Sequence, residues 1–116
     1  MGLIHTILTS KTPIYTYVKG YANSCGFLLF ICGHKRFIGK YDIIMYHQYS
    51  WGNYGKYQEL VEHREIEDRY NKINDELVLQ QTKITKEQLD NANKLKKDWY
   101  MFADEAIRLG CADEIY

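Results

Sequence analysis

Proline is almost absent from the 116-residue chain, with a single residue at Pro13. Charge imbalance is absent altogether: fifteen basic and fifteen acidic residues cancel. No global field therefore draws the chain to nucleic acid or to an anionic membrane, and neither is expected as a partner. Long hydrophobic runs are missing too. The most apolar stretch, from Phe27 to Cys32, is far too short to cross a bilayer, and the N-terminus lacks the basic region and long apolar run of a signal peptide. These absences lead us to expect a soluble, cytoplasmic protein. Cysteine is sparse and odd in number, at Cys25, Cys32 and Cys111, and two of the three lie in apolar runs, as reduced, buried thiols do. No Cys-x-x-Cys or His-x-x-x-His pair is present, so no metal site and no cofactor are expected. His5 and His63 fall in helical patterns and read as surface or packing residues. A phosphate-binding glycine-rich loop ending in Lys is also lacking, so the chain cannot itself use ATP.

What remains fits one domain spanning 1–116, large enough to bury about two-thirds of its unfolded surface. Leu3, Ile4, Ile7 and Leu8 recur at helical spacing, which predicts a short amphipathic helix before Pro13. Ile14 to Val18 reads as a strand bounded by Gly20. An apolar helix follows from near Ser24 to Ile31, closed by Gly33, and two short strands are expected at Arg36–Gly39 and Asp42–Tyr46. This alternation argues for an α/β fold with a parallel-type sheet covered by helices.

The second half is more helical. Residues 57–81 form the longest helical stretch, with Leu60, Val61, Ile66, Tyr70, Ile73 and Leu77 on an apolar side and charges elsewhere. So long a helix in so small a chain is expected to project from the core and to need a partner. A further helix is predicted from Thr85 through Lys97, with Gln88 completing a helix-start pattern and Leu89, Ala92 and Leu95 facing inward. Asp98 ends it. Phe102 to Leu109 reads as a last short helix stopped by Gly110, and Ala112–Tyr116 as a final strand.

The stretch that organises the chain is Gly20-Tyr-Ala-Asn-Ser24-Cys-Gly26. A serine flanked by small residues at a strand-to-helix corner presents its hydroxyl on a sharp turn, and the next backbone N–H can face a developing oxyanion. The competing reading makes Ser24 a helix N-cap. His47 ends the apolar run Ile43-Ile-Met-Tyr, where a side chain can emerge into a cleft. Asp98 lies between a charged helix and the aromatics Trp99, Tyr100 and Phe102, which are expected to shield its carboxylate. Serine, histidine and aspartate in this order are one of several orders in which acyl-transfer triads occur.

These motifs together resemble the proteolytic subunit of the Clp protease over nearly the whole chain. Gly20–Gly26 resembles the family's nucleophile motif, Gly33-His-Lys-Arg-Phe37 its following turn and strand, and Ile44-Met-Tyr-His47-Gln48 its histidine motif. Asp98 with the aromatics after it, Ala103–Ala106 and Leu109–Ile115 resemble its aspartate segment and closing helix. The resemblance implies a fold of Clp-like and crotonase-like βαβ repeats with a long projecting handle helix, here residues 57–82. It implies Ser24 as nucleophile, His47 as general base, Asp98 as the residue orienting His47, and the Cys25 N–H as an oxyanion donor. Ser50, Trp51 and Gly52 would lie where an extended peptide pairs with the chain. Peptides or unfolded proteins would be the substrates, fed by an ATP-dependent AAA+ unfoldase into self-associated rings stacked through the handle helix.

Three departures from the family accompany the likeness. Its members carry a further stretch before the region matching Gly2, including a glycine-rich segment that supplies an oxyanion donor, so we expect an N-terminally shortened form with an uncovered sheet edge that favours self-association. After His47 the family has proline and a glycine pair, whereas this chain has Tyr49-Ser50-Trp51-Gly52, and Trp51 would narrow the groove. The segment before Asp98 is slightly longer than expected, which leaves Asp90 and Asp104 as competitors for its role. A truncated or non-catalytic subunit acting through ring assembly is the alternative function, and an acyl-CoA enzyme of the same fold is more distant. The abundance of Lys, Ile, Asn and Tyr fits an AT-rich genome, such as that of a phage or low-GC bacterium.

Overall fold

The computed structural model describes residues 1–48, 55–95 and 97–116. Eleven elements follow one another: α1 (Gly2–Thr9), β1 (Tyr15–Val18), β2 (Tyr21–Asn23), α2 (Cys25–Ile31), β3 (Lys35–Ile38), β4 (Ile43–Tyr46), α3 (Tyr57–Gln81), α4 (Lys86–Leu95), β5 (Trp99–Phe102), α5 (Ala103–Arg108) and β6 (Glu114–Ile115). Two three-stranded sheets replace the single expected sheet. One has the order β1-β3-β6 and is wholly parallel; the other has the order β2-β4-β5, with β2 and β4 parallel and β5 antiparallel to β4.

The two sheets arise because the chain changes sheet twice in the same way. Between β1 and β2 it bends at Gly20, whose φ of 92° lies in the region that only glycine enters at little cost. Between β3 and β4 it bends again at Gly39–Asp42. The Asp42 carboxylate joins the bends, one oxygen accepting the Gly20 N–H at 2.9 Å and the other the Gly39 N–H at 2.9 Å. Each β-rich run is thus split into an upper and a lower strand with neighbours in different sheets.

The core lies between these sheets and the helices. The apolar helix α2 buries Phe27, Leu28, Phe30 and Ile31 against Val18, Ile38, Ile44 and Met101. Fully burying a side chain of this size stabilises by roughly 1.5–3 kcal/mol, so α2 is the main anchor of the domain. Ile4 and Ile7 of α1 join the same cluster, as the spacing in the sequence implies.

The long helix α3 spans 25 residues and packs on the core only near its C-terminal end, where Asn74, Leu77 and Val78 are buried. Leu60, Ile66, Tyr70 and Ile73 of its apolar side are exposed. Helix α4 ends at Leu95, short of the expected Lys97, and Leu95 is exposed rather than inward because the helix turns its Leu89 face to the core. Trp99–Phe102 is a strand, where the sequence reading saw only aromatics after a helix. Its residues alternate, Trp99 and Met101 facing inward and Tyr100 and Phe102 facing outward. Beyond α5 the chain reverses at Gly110, φ 71°.

A second polar clasp fastens the C-terminus. Arg36 Nε and Nη2 each donate to Asp113 at 3.0 Å, Nη1 donates to the Gln81 carbonyl, and the backbones of Arg36 and Asp113 also pair. These bonds to Arg36 hold the Asp113 carboxyl below the usual carboxylate range. The clasp unites β3, β6 and the end of α3. Burial pushes the thiols of Cys32 and Cys111 up to about 11 and about 12, so neither is a reactive thiolate.

Candidate active site

Ser24 stands at the corner between β2 and α2 with φ 57° and ψ −117°. Among the described residues it is the one non-glycine at positive φ. A side chain in this region costs of order 1–3 kcal/mol, and such strain collects at functional corners. The corner is held from both sides: the Ser24 N–H donates to the Met45 carbonyl at 3.0 Å, and its own carbonyl accepts from the Leu28 N–H at 3.1 Å. Its backbone therefore caps α2, but its hydroxyl makes no capping hydrogen bond. The N-cap reading accounts for the backbone and leaves the hydroxyl unused. A Cβ at Gly26 would meet the Ala22 Cβ at 3.8 Å, an ordinary contact, so the corner does not depend on glycine at that position.

Strand register brings the other two residues to the same end of the sheet. β2 pairs with β4 as Asn23↔Met45, so the step to Ser24 lies beside the step to Tyr46 and His47. β4 pairs with β5 as Tyr46↔Trp99 and Met45↔Tyr100. Continued by one residue, the antiparallel register sets His47 across from Asp98. Directly paired residues share a face of a sheet and neighbours alternate, so an extended backbone carried one residue past each strand end would send His47 and Asp98 to the face of Met45 and Tyr100, opposite Tyr46 and Trp99.

Of the competing carboxylates, Asp90 lies on α4, where it pairs with Lys86 Nζ at 3.1 Å and is near enough to Tyr46 and Asp75 for its charge to raise the pKa of both, and Asp104 follows β5 at the far end of the sheet, beyond Phe102, which pairs with Ile43. Asp98 itself is exposed, as are Tyr100 and Phe102, so the expected aromatic shield over the carboxylate is not formed. The reason is the strand: it points those two rings outward beside Asp98 rather than over it. No hydrogen bond joins Ser24, His47 and Asp98 among the described residues. The Cys25 N–H opens α2 directly after the Ser24 corner. Ser50, Trp51 and Gly52 lie outside the described residues.

Sequence reasoning missed a polar cluster at Tyr46, the residue before His47. The Tyr46 hydroxyl lies 2.9 Å from Asp75 Oδ1 of α3 and 2.8 Å from Asn93 Oδ1 of α4, and Asn93 Nδ2 lies 3.4 Å from Asp75 Oδ2. Burial raises the Asp75 pKa above the ordinary carboxylate value, with the Tyr46 and Asn93 hydrogen bonds pulling the other way. Burial, and then the Asp75 charge, also lifts the Tyr46 phenol above its usual range. A tyrosine ending a buried strand signals that its hydroxyl needs a partner, but nothing in the sequence says which.

A family model for Clp protease matches residues 1–116, the whole chain. The chain belongs to the Clp protease family. Membership makes it a Clp-type peptidase subunit, and the mixed α/β architecture of helices around two small sheets is in keeping with that family. No group of three or more His, Cys, Asp or Glu that could hold a metal ion occurs among the described residues. Nor is any described helix long and apolar enough to cross a membrane.

Proposed function

We propose that this Clp protease chain is a serine-type endopeptidase that works by acyl transfer to Ser24. One observation carries the reading: a serine in a strained corner, its hydroxyl free of any capping role, stands at the sheet end where register brings His47 and Asp98. In the proposed step His47 takes the hydroxyl proton as Ser24 Oγ attacks the peptide carbonyl carbon. Asp98 accepts from the other imidazole nitrogen and fixes its tautomer, while the Cys25 N–H donates to the developing oxyanion. Collapse breaks the C–N bond, His47 returns the proton to the leaving amine, and water then hydrolyses the acyl-enzyme. Ser50, Trp51 and Gly52 would pair with the extended substrate.

The same proposal places the chain in the cytoplasm as part of an assembled particle. Tyr15, Tyr17, Phe37 and Tyr116 form an aromatic face on the β1-β3-β6 sheet, with Tyr17 stacked on Phe37 at 4.6 Å between centroids and Tyr116 edge-on to Tyr17. Tyr15, Tyr17 and Tyr116 are each about half exposed, at 52–53%. Contiguous apolar surface of this kind marks a protein contact. We assign it to the AAA+ unfoldase that would supply unfolded substrate, and the exposed stripe of α3, as a handle helix, to self-association into rings.

A second reading, a non-catalytic subunit that acts through ring assembly, draws on the absence of hydrogen bonds among the three side chains. Stopped-flow hydrolysis of an activated peptide ester, which needs no unfoldase, separates the two. An endopeptidase gives a burst of one product per active site that is lost in Ser24→Ala; a non-catalytic subunit gives no burst in either.

A further inference from the structure

Tyr46 is the last residue of β4 and the chain neighbour of His47, and it is only 3% exposed. Its ring meets Phe27 of α2 edge-on, with centroids 6.0 Å apart, and α2 is the helix that Ser24 opens. Its backbone pairs with Trp99, the residue after Asp98. Its hydroxyl reaches Asp75 on α3 and Asn93 on α4. One side chain therefore touches or adjoins every element that carries a proposed catalytic group and ties them to two helices.

We propose that Tyr46, Asp75 and Asn93 are positioning residues that hold the end of β4, and with it the His47 imidazole, in place relative to Ser24. The proposal rests on His47 being the general base. Because adjacent strand residues point to opposite faces, a tether on the Tyr46 hydroxyl beneath the sheet fixes the direction in which His47 leaves above it. The hydroxyl has one proton and faces two acceptors, of which the carboxylate is the stronger. A purely stabilising role fits poorly. A half-buried carboxylate carries a desolvation cost, expressed in the raised Asp75 pKa, that an apolar residue of the same size would avoid. What a polar cluster adds over an apolar contact is a unique geometry.

The test follows two signals in wild type, Tyr46→Phe, Asp75→Asn, Asp75→Ala and Asn93→Ala. The first is the rate of Ser24 phosphonylation by a fluorophosphonate, read by intact mass well below Tm. The second is the His47 imidazole resonance, one of four histidine signals and identified by its loss in His47→Ala. Loss of the tether should slow labelling on the order of 10- to 100-fold, as a displacement of about 1 Å does, and should move the His47 signal while the far-UV spectrum stays unchanged. Asp75→Asn, which still offers an acceptor, should retain more activity than Asp75→Ala. Should Tyr46→Phe fail to fold, Asn93→Ala on the more exposed α4 carries the same comparison. Labelling within two-fold of wild type and an unmoved His47 signal would overturn the proposal. If wild type itself shows no Ser24 adduct, the serine-peptidase reading fails, and the His47 resonance alone decides whether Tyr46 and Asp75 position that ring.

Discussion

Replacing Ser24 by glycine should raise the stability of the protein while removing the proposed nucleophile. Ser24 has φ 57° and ψ −117°, a conformation that glycine adopts freely. Relief of that strain is worth about 1–3 kcal/mol. Against it stands the greater freedom of glycine in the unfolded chain, which costs roughly 0.5–1 kcal/mol. No capping bond is lost, because the hydroxyl does not cap α2. Alanine keeps the Cβ and therefore the strain, so Ser24→Gly should exceed Ser24→Ala by about 0.5–2 kcal/mol. An unfolding entropy of about 2.1 cal/mol/K per residue gives roughly 0.24 kcal/mol/K for 116 residues, so the gap should appear as about 2–8 °C in Tm. Calorimetry or thermal circular dichroism of the two variants reads it directly. Equal Tm values, or a more stable alanine variant, would show that the corner holds no strain and would remove the chief physical argument for Ser24.

Three further outcomes concern the frame around the site. Asp42→Ala leaves the Gly20 and Gly39 N–H groups without their shared acceptor and should cost about 1–3 kcal/mol, measured by urea unfolding. Gly110→Ala should destabilise by more than about 1 kcal/mol, because φ is 71° and a Cβ would come within 2.9 Å of the Lys83 backbone nitrogen. The folded-state pKa of Asp113 is lowered, so its pairing with Arg36 adds stability that is complete above the unfolded carboxylate pKa of about 3.9 and is lost as pH falls through the folded value. Asp75, with a raised pKa, works in the opposite sense, its ionisation lowering stability as pH rises from the unfolded value through the folded one. Thermal melts of wild type and Asp113→Asn should therefore converge as the solution is acidified from neutral pH, and a gap that stayed constant would contradict the assignment.

Much of this architecture can be read directly in the chain. The helices at α1, α2, α3 and α5 follow from apolar spacing and from the punctuation at Gly33 and Gly110, and the projection of α3 from its narrow apolar stripe. The split into two sheets cannot be read that way, because it depends on Asp42 reaching back to Gly20 across the chain. Trp99–Phe102 was hidden as a strand because four residues are too few to show alternation, and only pairing with β4 gives them a ladder. The corner at Ser24 is visible in its small neighbours, whereas its strain is a property of backbone geometry and the lack of a capping bond from its hydroxyl shows only in the structure. The Tyr46–Asp75–Asn93 cluster joins residues 18 to 47 positions apart, a separation that no local pattern reports. Leu95 is exposed because it lies six residues after Leu89, about 240° round the helix and off the face that Leu89 turns to the core.

The most direct measurement is mass spectrometry of the folded chain after reaction with a fluorophosphonate, with the adduct mapped to its residue in wild type, Ser24→Ala and His47→Ala. A single adduct on Ser24, absent in Ser24→Ala and sharply reduced in His47→Ala, is the result that an activated serine at this corner predicts. A folded protein that takes no adduct, or takes one at another residue, would contradict it.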